Sequence, residues 1–249
     1  MIENHIEIET NDGIMPAFTA HPEDSEICPA IILYFDAPGV REELRNFVRR
    51  IASQGYFVIM PDLYYRLGRF WFNIAERNET MGKMIQLARN SLTNSMVMED
   101  TGNILNFLDT NPNAKSGIKG CIGYCMSGRL IVTAAGTFPD HFAACASLYG
   151  VQIVTDESDS PHLLADKIKG ELYLGFAAVD PLVPENVIPD LTLALDKFGV
   201  TYRCDVYPGT HHGFCFPERP VYKEDAAEEV WGKVFEMYDR ILHVSEPVS

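Results

Sequence analysis

Positive charge is scarce in this sequence: 20 Lys and Arg stand against 35 Asp and Glu, a net charge of −15. Most of such a surface repels nucleic-acid phosphates and anionic lipid headgroups, so neither nucleic acid nor a membrane is expected as a partner. No apolar run approaches the ~18 residues that a membrane-crossing helix needs. The start, M-I-E-N-H-I-E-I-E, is acidic and alternating and lacks the basic head and apolar core of a secretory signal, so a cytoplasmic location is expected. The six cysteines, at 28, 121, 125, 145, 204 and 215, form no C-x-x-C pair and no zinc-type spacing. In a reducing compartment most of them serve as core fillers, and neither a metal nor another cofactor is implied. No repeat, low-complexity tract or Ser/Gly/Pro-rich linker divides the 249 residues, of which 47% are hydrophobic and 11% aromatic. One domain over 1–249 with a large core is expected.

What is present is an alternation of strand and helix patterns. Residues 2–9 alternate apolar with polar, 14–20 form a second strand candidate, and Asn11-Asp12-Gly13 between them is a hairpin signal that opens the sheet antiparallel. The continuous apolar run 29–35 suits a fully buried strand and ends in Asp36-Ala37-Pro38-Gly39. A helix at 43–54, with Leu44, Phe47, Val48 and Ile51 on one stripe, and a strand at 56–60 complete a parallel unit. Further on, helices are predicted at 96–108, 127–137, 186–198 and 221–244, and strands before Cys125 and at 142–149, 171–179 and 202–207. This order argues an α/β fold: a mainly parallel sheet with an antiparallel N-terminal strand and helices on both faces, whose sites lie at the carboxyl ends of the strands.

The segment 64–96 differs in composition. Arg66, Arg69, Arg77, Lys83 and Arg89 outnumber Glu76 and Glu79, among Tyr64, Tyr65, Phe70, Trp71 and Phe72. Such a segment suits a lid over an anionic or aromatic substrate, and equally a solvated excursion with its aromatics tucked back onto the body.

The stretch around which the chain is organised is Gly120 to Gly128, G-C-I-G-Y-C-M-S-G. A strand-like run leads into it and a helix-like run leaves it, with Cys125 at the turn. The α/β-hydrolase fold places its nucleophile on such a sharp strand-to-helix turn, where only small neighbours fit, in the pattern G-x-S-x-G or its cysteine version. Here the pattern is G-x-C-x-S-G, with Gly123 in the upstream small position and Ser127 in the downstream one. The helix that follows aims its positive end at the sulfur and leaves the Met126 N–H free for an oxyanion, both of which favour thiolate chemistry. The plainer role for Cys125 is that of a small buried hydrophobe.

Two further groups fall at strand ends. Asp180 follows the run to Val179, and His212 lies in Pro208-Gly209-Thr210-His211-His212-Gly213-Phe214, so the order is Cys125, Asp180, His212, the nucleophile, acid, histidine order of α/β-hydrolases. In these roles His212 accepts the thiol proton and returns it to the leaving group, while Asp180 sets the imidazole tautomer. Asp156, in a polar loop, and Asp205, inside a strand pattern, are weaker choices for the acid. Adjacent His211 competes for the role of base, and spacing alone does not choose between the two histidines. The pair lacks the i, i+4 partner or Cys/His cluster of a metal site.

Taken together, these residues resemble the dienelactone hydrolases, cysteine members of the α/β-hydrolase fold, over nearly the whole length. The resemblance is carried by Asp36-Ala37-Pro38-Gly39-Val40, Gly55-Tyr56, Pro61-Asp62-Leu63-Tyr64-Tyr65-Arg66, Gly123-Tyr124-Cys125-Met126-Ser127-Gly128, Asp180-Pro181-Leu182-Val183-Pro184 and His212-Gly213-Phe214. It implies a hydrolase in which Cys125 attacks the carbonyl of a small-molecule ester or lactone to give a thioester. Asp180 and His212 complete the triad, and the backbone N–H groups of Ala37 and Met126 form the oxyanion hole. The family's G-H-x-F pattern aligns with His211-His212-Gly213-Phe214 and selects His212 as the base. Asp36 aligns with a family glutamate beside the nucleophile, which implies a role in modulating the thiol, alongside the simpler role of ordering the Pro38-Gly39 turn.

The sequence departs from the family at the substrate clamp. The arginine four residues beyond the catalytic histidine is replaced by Phe216, and the nearest basic counterpart of a second arginine is Lys83, which lacks the guanidinium fork. A substrate less dependent on a carboxylate is therefore expected, with Tyr64, Arg66, Lys83, Phe216 and Arg219 as candidate substrate contacts. An acyl transferase working through the same acyl-enzyme and a non-catalytic binding protein on the same fold are the alternatives. A monomer or small homo-oligomer is expected.

Overall fold

The computed structural model describes residues 1–24 and 27–243. A two-residue turn at Asn11-Asp12 joins strands β1 (Ile2–Thr10) and β2 (Gly13–His21) in antiparallel register, Thr10 facing Gly13. Gly13 has φ 130°, a conformation that side-chain-bearing residues rarely adopt. β2 then pairs antiparallel with β4 (Phe57–Pro61). The remaining strands, β3 (Ala30–Tyr34), β5 (Lys119–Tyr124), β6 (Phe142–Leu148), β7 (Glu171–Val179) and β8 (Tyr202–His211), run parallel to β4. The eight strands form one sheet in the order β1-β2-β4-β3-β5-β6-β7-β8. β3, β4 and β5 are buried along their whole length, as expected of parallel strands covered on both faces.

Handedness decides which face each helix covers. A parallel crossover is right-handed, so a step from β3 to β4 and the steps from β5 towards β8 place their helices on opposite sides of the sheet. Helix α1 (Glu42–Ala52) makes the first step and buries Leu44, Phe47, Val48 and Ile51, the stripe expected from the sequence, together with Ala52. Helix α3 (Asn94–Thr110) leads from β4 across β3 to β5, α4 (Gly128–Thr137) makes the step from β5 to β6 and α5 (Val187–Phe198) that from β7 to β8; α3 packs on α4, which lies on β5 and β6. The final helix, α6 (Glu224–Leu242), returns to the α1 side. There Trp231 meets Phe47 edge-on at 5.3 Å, and the Tyr238 hydroxyl donates to the Cys121 carbonyl at 2.8 Å. The predicted extension of this helix to Val244 ends outside the described residues.

Two elements differ from the sequence reading. Helix α2 (Glu79–Asn90) lies within the segment read as a lid or a solvated excursion; the Asn78 side chain caps it by accepting from the Met81 N–H at 2.9 Å. Its buried face is only Ile85 and Ala88, too small a stripe to stand out as periodicity. β8 runs four residues beyond Tyr207, through Pro208-Gly209-Thr210, because an irregularity between Ala177 and Val179 lets β7 follow it until Val179 pairs with His211.

The segment after β4 is tied to the body by charge. Arg66, in a 3-10 turn at Tyr65–Leu67, donates to both Asp100 oxygens at 2.8 and 3.0 Å and to Asp12 at 2.6 Å. Tyr65 donates to the same Asp100 carboxylate at 3.0 Å. Asp100 is 1% exposed, so its charge is compensated only by this arrangement. Replacing Asp100 with Ala should therefore destabilise the fold by about 3 kcal/mol, as breaking a buried pair does. The check is equilibrium denaturation, accompanied by faster limited proteolysis between residues 64 and 78 than in the parent.

Candidate active site

The site is built on the backbone of Cys125, which has φ 56° at the end of β5. For a residue with a side chain this left-handed conformation costs about 1 to 2 kcal/mol, so surrounding contacts must impose it. A Cβ on Gly123 would stand 2.8 Å from the Ser127 carbonyl and 2.9 Å from Ile131 Cγ1, and one on Gly128 would overlap the Gly150 Cα. The turn closes only because both positions lack a side chain. The Cys125 carbonyl accepts from the Val151 N–H at 3.0 Å, and the Ser127 hydroxyl donates to the Phe35 carbonyl at the end of β3. Ser127, the departure from a glycine motif, is thus a strut between the turn and the β3 loop. A 3-10 turn at Cys125–Ser127 precedes α4, so the helix begins at Gly128 rather than near Met126.

The β3 loop brings Ala37 to the same place. Gly39 N–H donates to the Asp36 carbonyl at 2.8 Å, closing the loop. The Tyr64 hydroxyl donates to the Ala37 carbonyl at 2.9 Å and lies 3.4 Å from Met126 Sδ, bridging the loop and the turn. Among the described residues, the Ala37 and Met126 amides donate to no other protein group. Burial, with Asp36 and Cys125 nearby, pushes the Tyr64 hydroxyl well above its ordinary range, so it remains a neutral donor.

Asp180 and His212 arrive from the paired ends of β7 and β8. His212 Nδ1 and Asp180 Oδ2 are 2.7 Å apart, with the side chains 13% and 3% exposed. The second Asp180 oxygen accepts from the Leu182 N–H at 3.0 Å, which fixes the carboxylate plane. Burial alone would lower the His212 pKa; the hydrogen bond to Asp180 and the neighbouring Cys125 side chain outweigh it and raise the value to about 9. His212 Nε2 is buried and, among the described residues, has no hydrogen-bond partner. The thiol therefore lies close enough to influence the imidazole while the Cys125–His212 hydrogen bond itself is open, as is common before substrate binds. The Tyr149 ring packs edge-on against His212 at 5.1 Å and limits its rotation. His211 is exposed at the end of β8. Asp156 is exposed as well, and Asp205 is engaged by Arg203 at 2.8 Å and Lys233 at 2.9 Å.

The other sequence candidates fall in different places. Asp36 is fully buried; Arg41 holds one of its oxygens at 2.5 Å, and Arg219 ion-pairs with the other. Arg41 also reaches Glu218 at 2.6 Å. Phe216 is fully buried beneath both guanidiniums, whose carbons lie 4.9 and 4.6 Å from its ring centre, and it stacks on Phe47. It supports the ion pairs from below and does not face a ligand. Arg66 is taken up by Asp12 and Asp100, and Lys83 is exposed on α2 in an i, i+4 pair with Glu79 at 2.6 Å. Arg41 escaped the sequence reading. Its only signal was a basic residue five positions after Asp36, with nothing to mark it as buried.

Among the described residues, no group of three His, Cys, Asp or Glu is arranged to hold a metal, and no helix is long and apolar enough to cross a membrane.

A mainly parallel sheet whose central strand delivers a left-handed residue into a helix, with an Asp–His pair at the ends of the last two strands, defines an α/β-hydrolase. The family model described as "Dienelactone hydrolase family" matches residues 15–242, and the chain belongs to that family of ester and lactone hydrolases. A protein named "Putative carboxymethylenebutenolidase" from Synechocystis sp. is 28% identical over 218 residues, covering 86% of this chain and 87% of that protein. One of the same name from Methylorubrum extorquens is 26% identical over 238 residues, covering 94% and 79%. The crystal structure of a "Putative Dienelactone Hydrolase" from Klebsiella pneumoniae subsp. pneumoniae shares the fold with a TM-score of 0.82 at 23% identity, over 96% of this chain and 98% of that one.

The raised His212 pKa has a direct consequence for stability. Because the folded value, about 9, lies above the ordinary ~6.5, the pairing stabilises the fold in full below about pH 6.5 and is lost as pH rises through about 9. In Asp180→Asn the His212 midpoint should fall by about one unit or more. Imidazole titration by NMR and chemical denaturation between pH 6 and 10 check both statements.

Proposed function

We propose that the protein hydrolyses carboxylic esters or lactones through a thioester on Cys125, with His212 as general base and acid and Asp180 as its orienting carboxylate. The observation that carries this reading is the 2.7 Å Asp180–His212 pair beside a cysteine held at φ 56°. With Nδ1 committed to Asp180, the imidazole has Nε2 available for the thiol proton. With the thiol proton already moved from sulfur to Nε2, where the raised proton affinity of His212 favours it, the sulfur attacks the carbonyl carbon, and the carbonyl electron pair moves onto oxygen. The Ala37 and Met126 N–H groups, unengaged by the protein, receive that developing charge. Collapse breaks the bond to the alkoxide, which leaves with the proton from His212, and a thioester remains. Water, deprotonated by His212, then adds to the thioester carbonyl; collapse releases the acid and returns the proton to sulfur. An imidazole with raised proton affinity suits the first half of this cycle, because it retains the proton until the leaving group requires it.

In this reading Asp36 positions Arg41 and Arg219 rather than gating the thiol, since both of its oxygens are engaged. None of the six cysteines is in a disulfide, which suits a reducing cytoplasm, and the partner is a small-molecule ester or lactone acted on by a monomer or small homo-oligomer.

The test uses a 4-nitrophenyl ester. Cys125→Ala should lower kcat/KM by about 10³-fold or more, and Asp180→Asn should lower kcat by about 10⁴-fold through the wrong imidazole tautomer. Rapid acid quench of the parent followed by mass spectrometry should show one acyl group on the peptide containing Cys125, and dialysis against EDTA should leave turnover intact. Undiminished turnover in Cys125→Ala ends the proposal, and product appearing only when an alcohol or thiol is added makes the protein an acyl transferase.

A further inference from the structure

An oxyanion hole works only if its N–H groups already point at the place where charge will develop, so the contacts that fix their peptide planes matter as much as the groups themselves. In Asp36-Ala37-Pro38-Gly39 two peptide planes flank the Ala37 Cα. The first carries the Ala37 N–H and the Asp36 carbonyl, and that carbonyl accepts from the Gly39 N–H at 2.8 Å. The second joins Ala37 to Pro38 and has no N–H, so its carbonyl is its only polar group. That carbonyl accepts from the Tyr64 hydroxyl at 2.9 Å. With one hydrogen bond on each plane, both dihedrals of Ala37 are fixed and its N–H has a single direction.

Tyr64 is itself held firmly. It is 2% exposed, its N–H donates to Asp62 Oδ1 at 3.1 Å, and its carbonyl accepts from the Leu67 N–H at 2.8 Å. The ring packs against Phe35 at 4.9 Å and lies so close to Gly39 that a Cβ there would stand 3.2 Å from Cδ2 and Cε2. The hydroxyl has one proton, which goes to the Ala37 carbonyl as the stronger acceptor, while its oxygen rests 3.4 Å from the polarisable Met126 sulfur. Tyr64 thus touches both residues whose N–H groups await the oxyanion. The sequence offered it as a substrate contact; its hydroxyl is engaged by the protein instead.

We propose that Tyr64 is a positioning residue: through the Ala37 carbonyl and the Met126 side chain it aims the two oxyanion N–H groups, and so raises kcat rather than substrate affinity. The effect on rate rests on the proposed thioester reading, whereas the aim of the two amides can be measured without turnover. Adjacent Tyr65 supplies a control, because its hydroxyl bonds Thr10 at 2.7 Å and Asp100 at 3.0 Å rather than the oxyanion loop.

Tyr64→Phe keeps the ring and removes the hydroxyl alone. With a 4-nitrophenyl ester its kcat should fall by about 10-fold, less than the loss of about 10²- to 10³-fold that follows removal of a donor touching the oxyanion, while KM stays within about 2-fold. The pH profile should keep its shape, because burial holds the Tyr64 hydroxyl protonated across the range in which His212 titrates. Two reagents separate aim from folding. Trifluoroacetophenone takes the Cys125 sulfur onto its carbonyl carbon, the carbonyl electron pair moving onto oxygen and the thiol proton remaining on His212, so its affinity should also fall by about 10-fold. Iodoacetamide loses iodide to the sulfur without forming an oxyanion, so alkylation of Cys125 should match the parent within about 2-fold. Tyr65→Phe should leave all of these values within about 2-fold, whatever it does to stability. A Tyr64→Phe protein with parental kcat and ketone affinity overturns the proposal, as does one whose Cys125 alkylation slows in step with turnover or one no slower than Tyr65→Phe. If the parent neither turns over the ester nor adds to the ketone, the Cys125 chemistry falls, and backbone amide relaxation by NMR decides the positioning role. Order parameters for Ala37 and Met126 that drop below the rigid value of about 0.85 in Tyr64→Phe but not in Tyr65→Phe support it, and unchanged values overturn it.

Discussion

The left-handed backbone of Cys125, at φ 56°, is the constraint from which the rest of the site follows. The conformation is uphill for an L-residue, and it persists because the chain on either side leaves no alternative. Gly123 lets the turn fold back onto Ile131, and Gly128 lets α4 approach the loop after β6. Hydrogen bonds from Val151 to Cys125 and from Ser127 to Phe35 then fix the turn from both sides. Through Ser127 the same constraint extends to the β3 loop, so the Ala37 and Met126 amides are positioned together, with the Tyr64 hydroxyl between their chains. Sheet order completes the arrangement, because β5 is central and β7 and β8 bring Asp180 and His212 to the same edge.

Around that frame, charge sets geometry more than stability. The buried Asp36 carboxylate between Arg41 and Arg219 gains little net energy relative to an apolar replacement, as buried ion pairs generally do, but it specifies one arrangement of the two loops that meet there. Phe216 gives both guanidiniums an aromatic face and sits on the α1–α6 core through Phe47. Phe216 therefore has a structural role in this chain.

The parts of the fold that were legible share a cause. A fully buried strand such as β3 writes itself as an unbroken apolar run, and α1 carries the stripe Leu44, Phe47, Val48 and Ile51. The hairpin was marked by Asn11-Asp12-Gly13, whose geometry few other residues satisfy. Helix α2 was not legible, because its stability comes from an Asn78 cap and two buried side chains rather than from a stripe. The extension of β8 was hidden because Pro208 and Gly209 read as loop residues, while pairing with β7 keeps them in the sheet.

Local chemistry determined the sharp turn at Cys125 and the strand–helix alternation, since each depends on residues adjacent in the chain or on periodicity within one element. The engagement of each charged side chain was decided by tertiary structure alone. Arg66 meets Asp100 across 34 positions, Arg219 meets Asp36 across 183, and Arg129 meets only neutral acceptors. The physical reason is that a side chain's charge is written in the sequence, whereas its solvent exposure and its counter-ion depend on which distant elements the sheet order brings beside it.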